Sequence, residues 1–232
     1  MRIESVHFET SGMAIIAMSG GFLFQIPCTR VHELPIGCFL CANSACGSMS
    51  QEQLREIIRK LPEIAGDFHK EDELFMAISR IDEETRAFNK VSELCGIAEQ
   101  NSQGLFRKLQ AKGFSRNSIQ KAIETAQAEG LVDDARFARI WARRRVEKTL
   151  CGPKTLLAEL ASRGISSEEA RQALKYIQFD LILEGAYAKI IRKLSKKYGG
   201  PELVQHAYHL LRREGFDSES LKNLIDSKKN TL

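Results

Sequence analysis

The 232-residue sequence lacks the features that would place it in several large functional classes. No apolar run approaches the roughly 20 residues that a membrane-crossing helix needs, the longest being stretches such as Met13 to Met18. There is no glycine-rich phosphate loop, no nucleophile elbow and no recognisable zinc signature, so no constellation of residues argues for an enzyme. No export signal opens the chain, and a cytoplasmic location is the expectation.

Six cysteines in such a setting are expected as free thiols rather than a disulfide frame. Cys28, Cys38, Cys41 and Cys46 crowd together, and Cys38-x2-Cys41 has a spacing that zinc favours. The full pattern matches no common ligand set, and no second CxxC follows. Small buried hydrophobes are the expected role, and no metal or other cofactor is assigned.

Net charge is small but unevenly spread. The formal total is +4. Residues 1–50 carry 2 basic and 3 acidic side chains, 51–100 carry 7 and 12, and 101–232 carry 25 and 15, giving −1, −5 and +10. A basic C-terminal part behind an acidic N-terminal part points to a polyanion, or an acidic protein surface, as partner.

Three short runs, Arg2 to Glu9, Ala14 to Met18 and Phe22 to Ile26, are separated by Ser11-Gly12 and Ser19-Gly20-Gly21. They read as a small three-stranded sheet that ends at Pro27. Residues 28–49 show no period and are expected to be mostly irregular. From Ser50 the pattern is helical throughout. Ser50-Gln51-Glu52-Gln53 is a capping box ahead of Leu54, Ile57, Ile58 and Leu61, and a longer helix is expected from about His69 to Ala98.

The most informative feature is an internal repeat of 51 residues. Gly113, Gly164 and Gly215 each follow a leucine by four positions (Leu109, Leu160, Leu211) and precede a plug residue by one (Phe114, Ile165, Phe216). The next position is Ser115, Ser166 or Asp217, each a good N-cap. The unit is a helix that ends at a left-handed glycine, an apolar residue folding back, and a capped second helix. A third helix follows in the first two copies, where Asp134-x-x-Phe137-Ala138-Arg139-Ile140-Trp141 corresponds to Glu184-x-x-Tyr187-Ala188-Lys189-Ile190-Ile191.

The expected architecture is therefore mainly α, an elongated array of tandem three-helix repeats behind a small β-sheet. The divisions are a β-rich segment over 1–49, linking helices over 50–100, repeats over 101–150 and 151–198, and a shortened third copy over 199–232.

Several spaced motifs resemble the RecX regulatory proteins. They are Leu105-Phe106-Arg107-Lys108-Leu109-x-x-Lys112-Gly113-Phe114, Gly130-Leu131-Val132-Asp133-Asp134-x-Arg136-Phe137-Ala138, and Gly152-Pro153-x-x-Leu156-x-x-Glu159-Leu160-x-x-Arg163-Gly164-Ile165. The resemblance covers about residues 88 to 226. It departs from the family pattern at Leu150, where glycine is common, and at Gln100 or Asn101, where arginine is usual. It implies a cytoplasmic, non-enzymatic modulator of the RecA recombinase, bound along the groove of RecA–single-stranded DNA filaments. Such a protein restrains recombination, repair, the SOS response and co-protease activity. A monomer is expected, with no membrane partner. The alternatives are a helical DNA-binding protein without a recombinase target and a scaffold for another acidic protein.

The densest cation cluster is Arg136, Arg139, Arg143, Arg144, Arg145 and Lys148. On a helical wheel Arg136, Arg139 and Arg143 share an arc of about 60° opposite Trp141, which itself falls on an apolar stripe with Phe137 and Ile140. That stripe of planar forks suits phosphates or filament carboxylates; the competing reading is a solvated face. Lys189, Arg192, Lys193, Lys196 and Lys197 form the equivalent cluster one repeat on, and Arg107, Lys108 and Lys112 extend the candidate track. Asp133-Asp134 reads as helix-capping acid rather than a catalytic pair, and His206 and His209 as surface histidines.

Overall fold

A computed structural model of the chain describes residues 3–18, 20–34 and 71–229. The capping box at Ser50, the helix it is expected to open, and Cys38, Cys41 and Cys46 lie outside those residues. The described part is mainly helical behind a three-stranded sheet, and it divides into two compact units. The first holds residues up to 96 together with 106–129; the second holds 97–105 and 130 onward.

In the first unit β1 (Ile3–Phe8), β2 (Met13–Met18) and β3 (Phe22–Pro27) form an antiparallel sheet in that order. Val6 lies opposite Ile16, and Ile16 opposite Phe24. Alternation along β2 turns Ala14, Ile16 and Met18 to one face, where all three are fully buried. That face meets Ile78 and Ile81 of α1 (Glu71–Ile97), and Ile3, Ile26 and Leu34 complete the core. Phe75 closes one side, its ring edge-on to Phe22 and Phe24 at 5.4 and 5.5 Å between centroids.

Polar ties fix the sheet to the helix. The carboxylate of Asp82 accepts the backbone N–H of Gln25 at 2.6 Å and the Arg86 Nε–H at 2.8 Å. Residues 28–33, expected to be irregular, instead form a 3-10 turn (Cys28–Glu33), whose Arg30 donates to Glu33 and Glu84. The turn is too short to leave a periodic signal.

Also in this unit, Glu83 of α1 holds the start of α3 (Arg116–Ala128). Its carboxylate accepts the Ser115 N–H at 2.8 Å and the hydroxyls of Ser115 and Ser118 at 2.6 and 2.7 Å. Partial burial pushes the Glu83 carboxyl pKa up, but these three donors outweigh it and hold the group below its ordinary value.

The remaining helices are α2 (Ser102–Gln110), whose first residues belong to the second unit, then α4 (Asp134–Thr149), α5 (Pro153–Ser162) and α6 (Ser167–Leu174). They are followed by α7 (Phe179–Leu194), α8 (Gly200–Arg213) and α9 (Ser218–Lys229). The repeat glycines sit where the sequence puts them. Gly113, Gly164 and Gly215 have φ of 87°, 83° and 97°, just beyond a helix end in each case.

Each glycine carries the same pair of bonds. The N–H of the plug residue reaches back to the leucine carbonyl (Phe114 to Leu109, Ile165 to Leu160, Phe216 to Leu211), and the glycine N–H bonds Gln110, Ala161 or Arg212. This is a Schellman motif, in which the leucine and the plug residue are also the apolar contact. The 51-residue pattern is thus the footprint of one capping structure made three times. The N-caps follow: Ser115 accepts from Ser118 N–H, Ser166 makes a full capping box with Glu169, and Asp217 accepts from Ser220 N–H.

Packing groups these helices in a different phase from the sequence period. α4 packs on α5 and α6, and α7 packs on α8 and α9. Ala138, Leu160, Ile165, Ala170 and Ala173 fill one core, and Ala142, Val146, Leu156 and Leu174 continue it. Leu183, Ala186, Leu211, Phe216, Leu221 and Leu224 fill the other. In packing terms the C-terminal copy therefore has three helices, because α7 precedes α8 and α9 and serves as their partner.

A repeated joint links successive copies inside the second unit. Gly152 N–H donates to the Glu214 carbonyl at 2.8 Å, and the Thr155 hydroxyl donates to the same oxygen at 2.9 Å. One repeat earlier, the Asn101 side-chain amide donates to the Arg163 carbonyl at 2.7 Å. In both cases the start of one helix satisfies a carbonyl orphaned at the end of another. Asn101 is buried, and its amide does here what the Gly152 backbone does 51 residues later.

Candidate polyanion-binding surface

α4 positions the main candidate cluster, and local chemistry explains how it starts. Asp133 is its N-cap, accepting the Arg136 N–H at 2.8 Å. Asp134 accepts the Ser102 N–H at 2.8 Å and so caps α2. Both carboxylates therefore serve helix N-termini, as the sequence suggests.

The six cations of the cluster divide by their partners. Arg136 is held on both sides: Nε donates to Glu99 at 2.7 Å, and its two terminal nitrogens donate to the carbonyls of Gly130 and Leu131 at 3.1 and 3.0 Å. Arg145 makes a bidentate pair with Glu159 at 2.8 and 2.7 Å. Hydrogen bonding to Arg145 holds the Glu159 carboxyl below its ordinary pKa, and the Arg145 guanidinium is correspondingly raised.

Arg139, Arg143, Arg144 and Lys148 are exposed, with no ion-pair or hydrogen-bond partner among the described residues. A helical wheel shows which residues share a face, but not that Glu99 folds back onto Arg136.

Arg139, Arg143 and Arg144 border a cleft of about 650 Å³ between α4 and α6, and Tyr176 stands at its edge. Arg144 also lines a second cleft of about 550 Å³ with Trp141, Lys148 and Glu159. Trp141 is half-buried against both parts of the core, and its ring is covered by the Arg163 guanidinium at 4.2 Å.

The second cluster is also exposed. Lys189, Arg192 and Lys193 lie on α7, and Lys196 and Lys197 in the turn that follows it. Arg107 and Lys108 end α2 and Lys112 follows it; all three are exposed and belong to the first unit. His206 lies against the Tyr198 ring at 4.1 Å, and Cys28 is half-buried. No group of three His, Cys, Asp or Glu side chains converges among the described residues.

Tyr176 is absent from the candidates that charge and motif single out. Its counterparts one repeat away are Thr125 and Ser227, both small hydroxyl residues. A large aromatic at a position otherwise small and polar is a signal that aligning the copies exposes.

A family model described as the second three-helix domain of RecX matches residues 133–174, which are the α4 N-cap through the end of α6. The chain is similar to the regulatory protein RecX of Treponema pallidum, 32% identical over 132 residues, covering 57% of this chain and 79% of that protein. It is also similar to the protein of the same name from Prosthecochloris aestuarii, 31% identical over 147 residues, covering 62% and 95%. Among solved structures, a regulatory protein RecX superimposes with a TM-score of 0.68 over 97% of this chain and 98% of that one, at 14% identity. RecX from Lactobacillus salivarius superimposes with a TM-score of 0.58 over 63% and 96%, at 18% identity.

Proposed function

The chain belongs to the RecX family of regulatory proteins, and from that premise we propose that it binds the RecA recombinase filament and restrains recombination, repair and co-protease activity. The observation that carries the reading is the division of the α4 cations. Arg136 and Arg145 are held by Glu99 and Glu159, while Arg139, Arg143 and Arg144 between them stay exposed and unpaired among the described residues. A row of unpaired guanidinium groups on a rigid helix is what an interface with phosphates or carboxylates requires. The exposed cations of α7 repeat the feature on the equivalent helix.

The role is regulatory rather than catalytic. The acids that could suggest chemistry, Asp133 and Asp134, are used as caps.

Co-sedimentation tests the reading. The protein should pellet with RecA–single-stranded DNA filaments and poorly with either RecA or DNA alone. Equal recovery with bare DNA would favour a DNA-binding protein without a recombinase target.

A further inference from the structure

We propose that the cleft between α4 and α6 is a stacking site for a base of single-stranded nucleic acid, with Tyr176 as the platform and Arg139 and Arg143 as the phosphate contacts. The inference rests on the polyanion-binding reading above and goes beyond it in naming the ligand chemistry and the ring.

Three observations converge on this cleft. Among the described residues Tyr176 is the most exposed of the large apolar side chains, at 82%, and it stands beside a cleft of about 650 Å³. The Lys175 ammonium lies 6.0 Å from the centroid of its ring. Ile140, Val146, Ala173 and Ile177 give the cleft an apolar lining. Its rim carries Arg139, Arg143 and Arg144 against the single acid Glu147.

A partner must therefore supply negative charge and a flat apolar face within the same short span. Acidic protein side chains satisfy the arginines but leave the phenol ring uncovered. A nucleotide satisfies both, because every base has a π-face and every link a phosphate. The bases of a duplex are stacked on one another and cannot reach the ring, so the strand must be single. Arg139 and Arg143 lie one helical turn apart, about 6 Å between their β-carbons, a spacing that a flexible strand can follow. Trp141 is the poorer platform, because Arg163 already covers it.

The test is fluorescence anisotropy of a labelled oligothymidylate with the full chain. Tyr176→Ala should weaken binding about tenfold with an unchanged salt slope, since it removes a ring and no charge. Tyr176→Phe keeps the ring and should bind within about twofold of wild type. Arg139→Gln with Arg143→Gln should make the slope of log affinity against log salt shallower by roughly 1.4, about 0.7 for each lost single-strand contact. Thermal melts of the variants should match wild type, because all three side chains are exposed.

Three results would overturn the inference: wild-type affinity in Tyr176→Ala, equal weakening on duplex and single strand, or no oligothymidylate binding by wild type at low salt. Filament co-sedimentation is scored separately. Wild type that binds filaments with Tyr176 indifferent to the oligonucleotide sinks the stacking site and leaves the regulatory reading standing. Oligonucleotide binding lost in Tyr176→Ala, without any filament binding by wild type, does the reverse.

Discussion

A β-carbon on Gly152 would run into the carbonyl carbon of Gly215, so the start of α5 and the end of α8 meet backbone to backbone. The contact lets Gly152 N–H reach the Glu214 carbonyl, and Lys154 N–H reach that of Gly215. Gly152→Ala should cost at least about 2 kcal/mol, because the clash is with backbone and neither helix end can yield without losing its bonds. Gly185 provides the control. It lies inside α7, and a methyl group added there would meet nothing within 4 Å, so Gly185→Ala should stabilise by roughly 0.5–1 kcal/mol. Urea unfolding of the two variants measures both; equal midpoints would show that the joint is open in solution.

Leu150 ends α4 with φ of 52°, the one non-glycine residue in the left-handed region among those described. That region of backbone favours glycine, and a side chain there is strained. Leu150 offsets part of the strain by packing its side chain against the Leu183–Leu211–Phe216 core. Leu150→Ala and Leu150→Gly both lose that packing, but only alanine keeps the strain. The glycine variant should therefore be the more stable of the two by about 1 kcal/mol, the reverse of their usual order within helices. Denaturant midpoints of the pair decide the matter.

What can be read from the sequence is local. The Leu–Gly caps with their Phe or Ile plugs, the Ser and Asp N-caps and the three strands each follow from a few neighbouring residues, and all appear where the pattern puts them. What cannot be read depends on residues far apart in the chain. Glu99 on Arg136, Asn101 on the Arg163 carbonyl and Gly152 on Glu214 join positions 37, 62 and 62 residues apart. No period marks such pairs. The same holds for the phase of packing: a repeat shows that helices recur, but not whether a third helix packs backward or forward. Tyr176 is legible in principle, since only it breaks the small-residue rule of its repeat position.

Glu83 should give the first unit a specific acid sensitivity. Its carboxyl pKa in the folded chain lies below the ordinary glutamate value, so its stabilisation is complete above that value. It is lost as pH falls through the depressed folded pKa and the carboxylate protonates, because the Ser115 and Ser118 donors then lose their charged acceptor. Glu83→Gln should lower the melting temperature near neutral pH and flatten its decline as pH falls below the ordinary glutamate pKa. Parallel acid limbs for the variant and wild type would remove Glu83 from the account.

The cations of α4 should separate into two kinds when replaced. Arg136→Gln withdraws donors from the Gly130 and Leu131 carbonyls and from Glu99, and should cost roughly 1–2 kcal/mol of stability. Arg145→Gln leaves Glu159 unpaired at a site open to solvent and should cost less, under about 1 kcal/mol. Neither should greatly change filament binding, because each guanidinium already has an internal partner. Arg139→Glu with Arg143→Glu should do the opposite. Helical content and melting temperature should stay near wild type, since both side chains are exposed and unpaired among the described residues, while filament recovery falls sharply. The salt dependence then identifies what the arginines meet. Loss of two DNA phosphate contacts should reduce the slope of log affinity against log salt by roughly 1.4 to 1.8, because phosphates release condensed counterions on neutralisation. Carboxylates on RecA hold no such layer, so weak binding with a nearly unchanged slope would place the arginines on protein. A double variant that co-sediments and restrains strand exchange like wild type would reduce the α4 stripe to solvated surface.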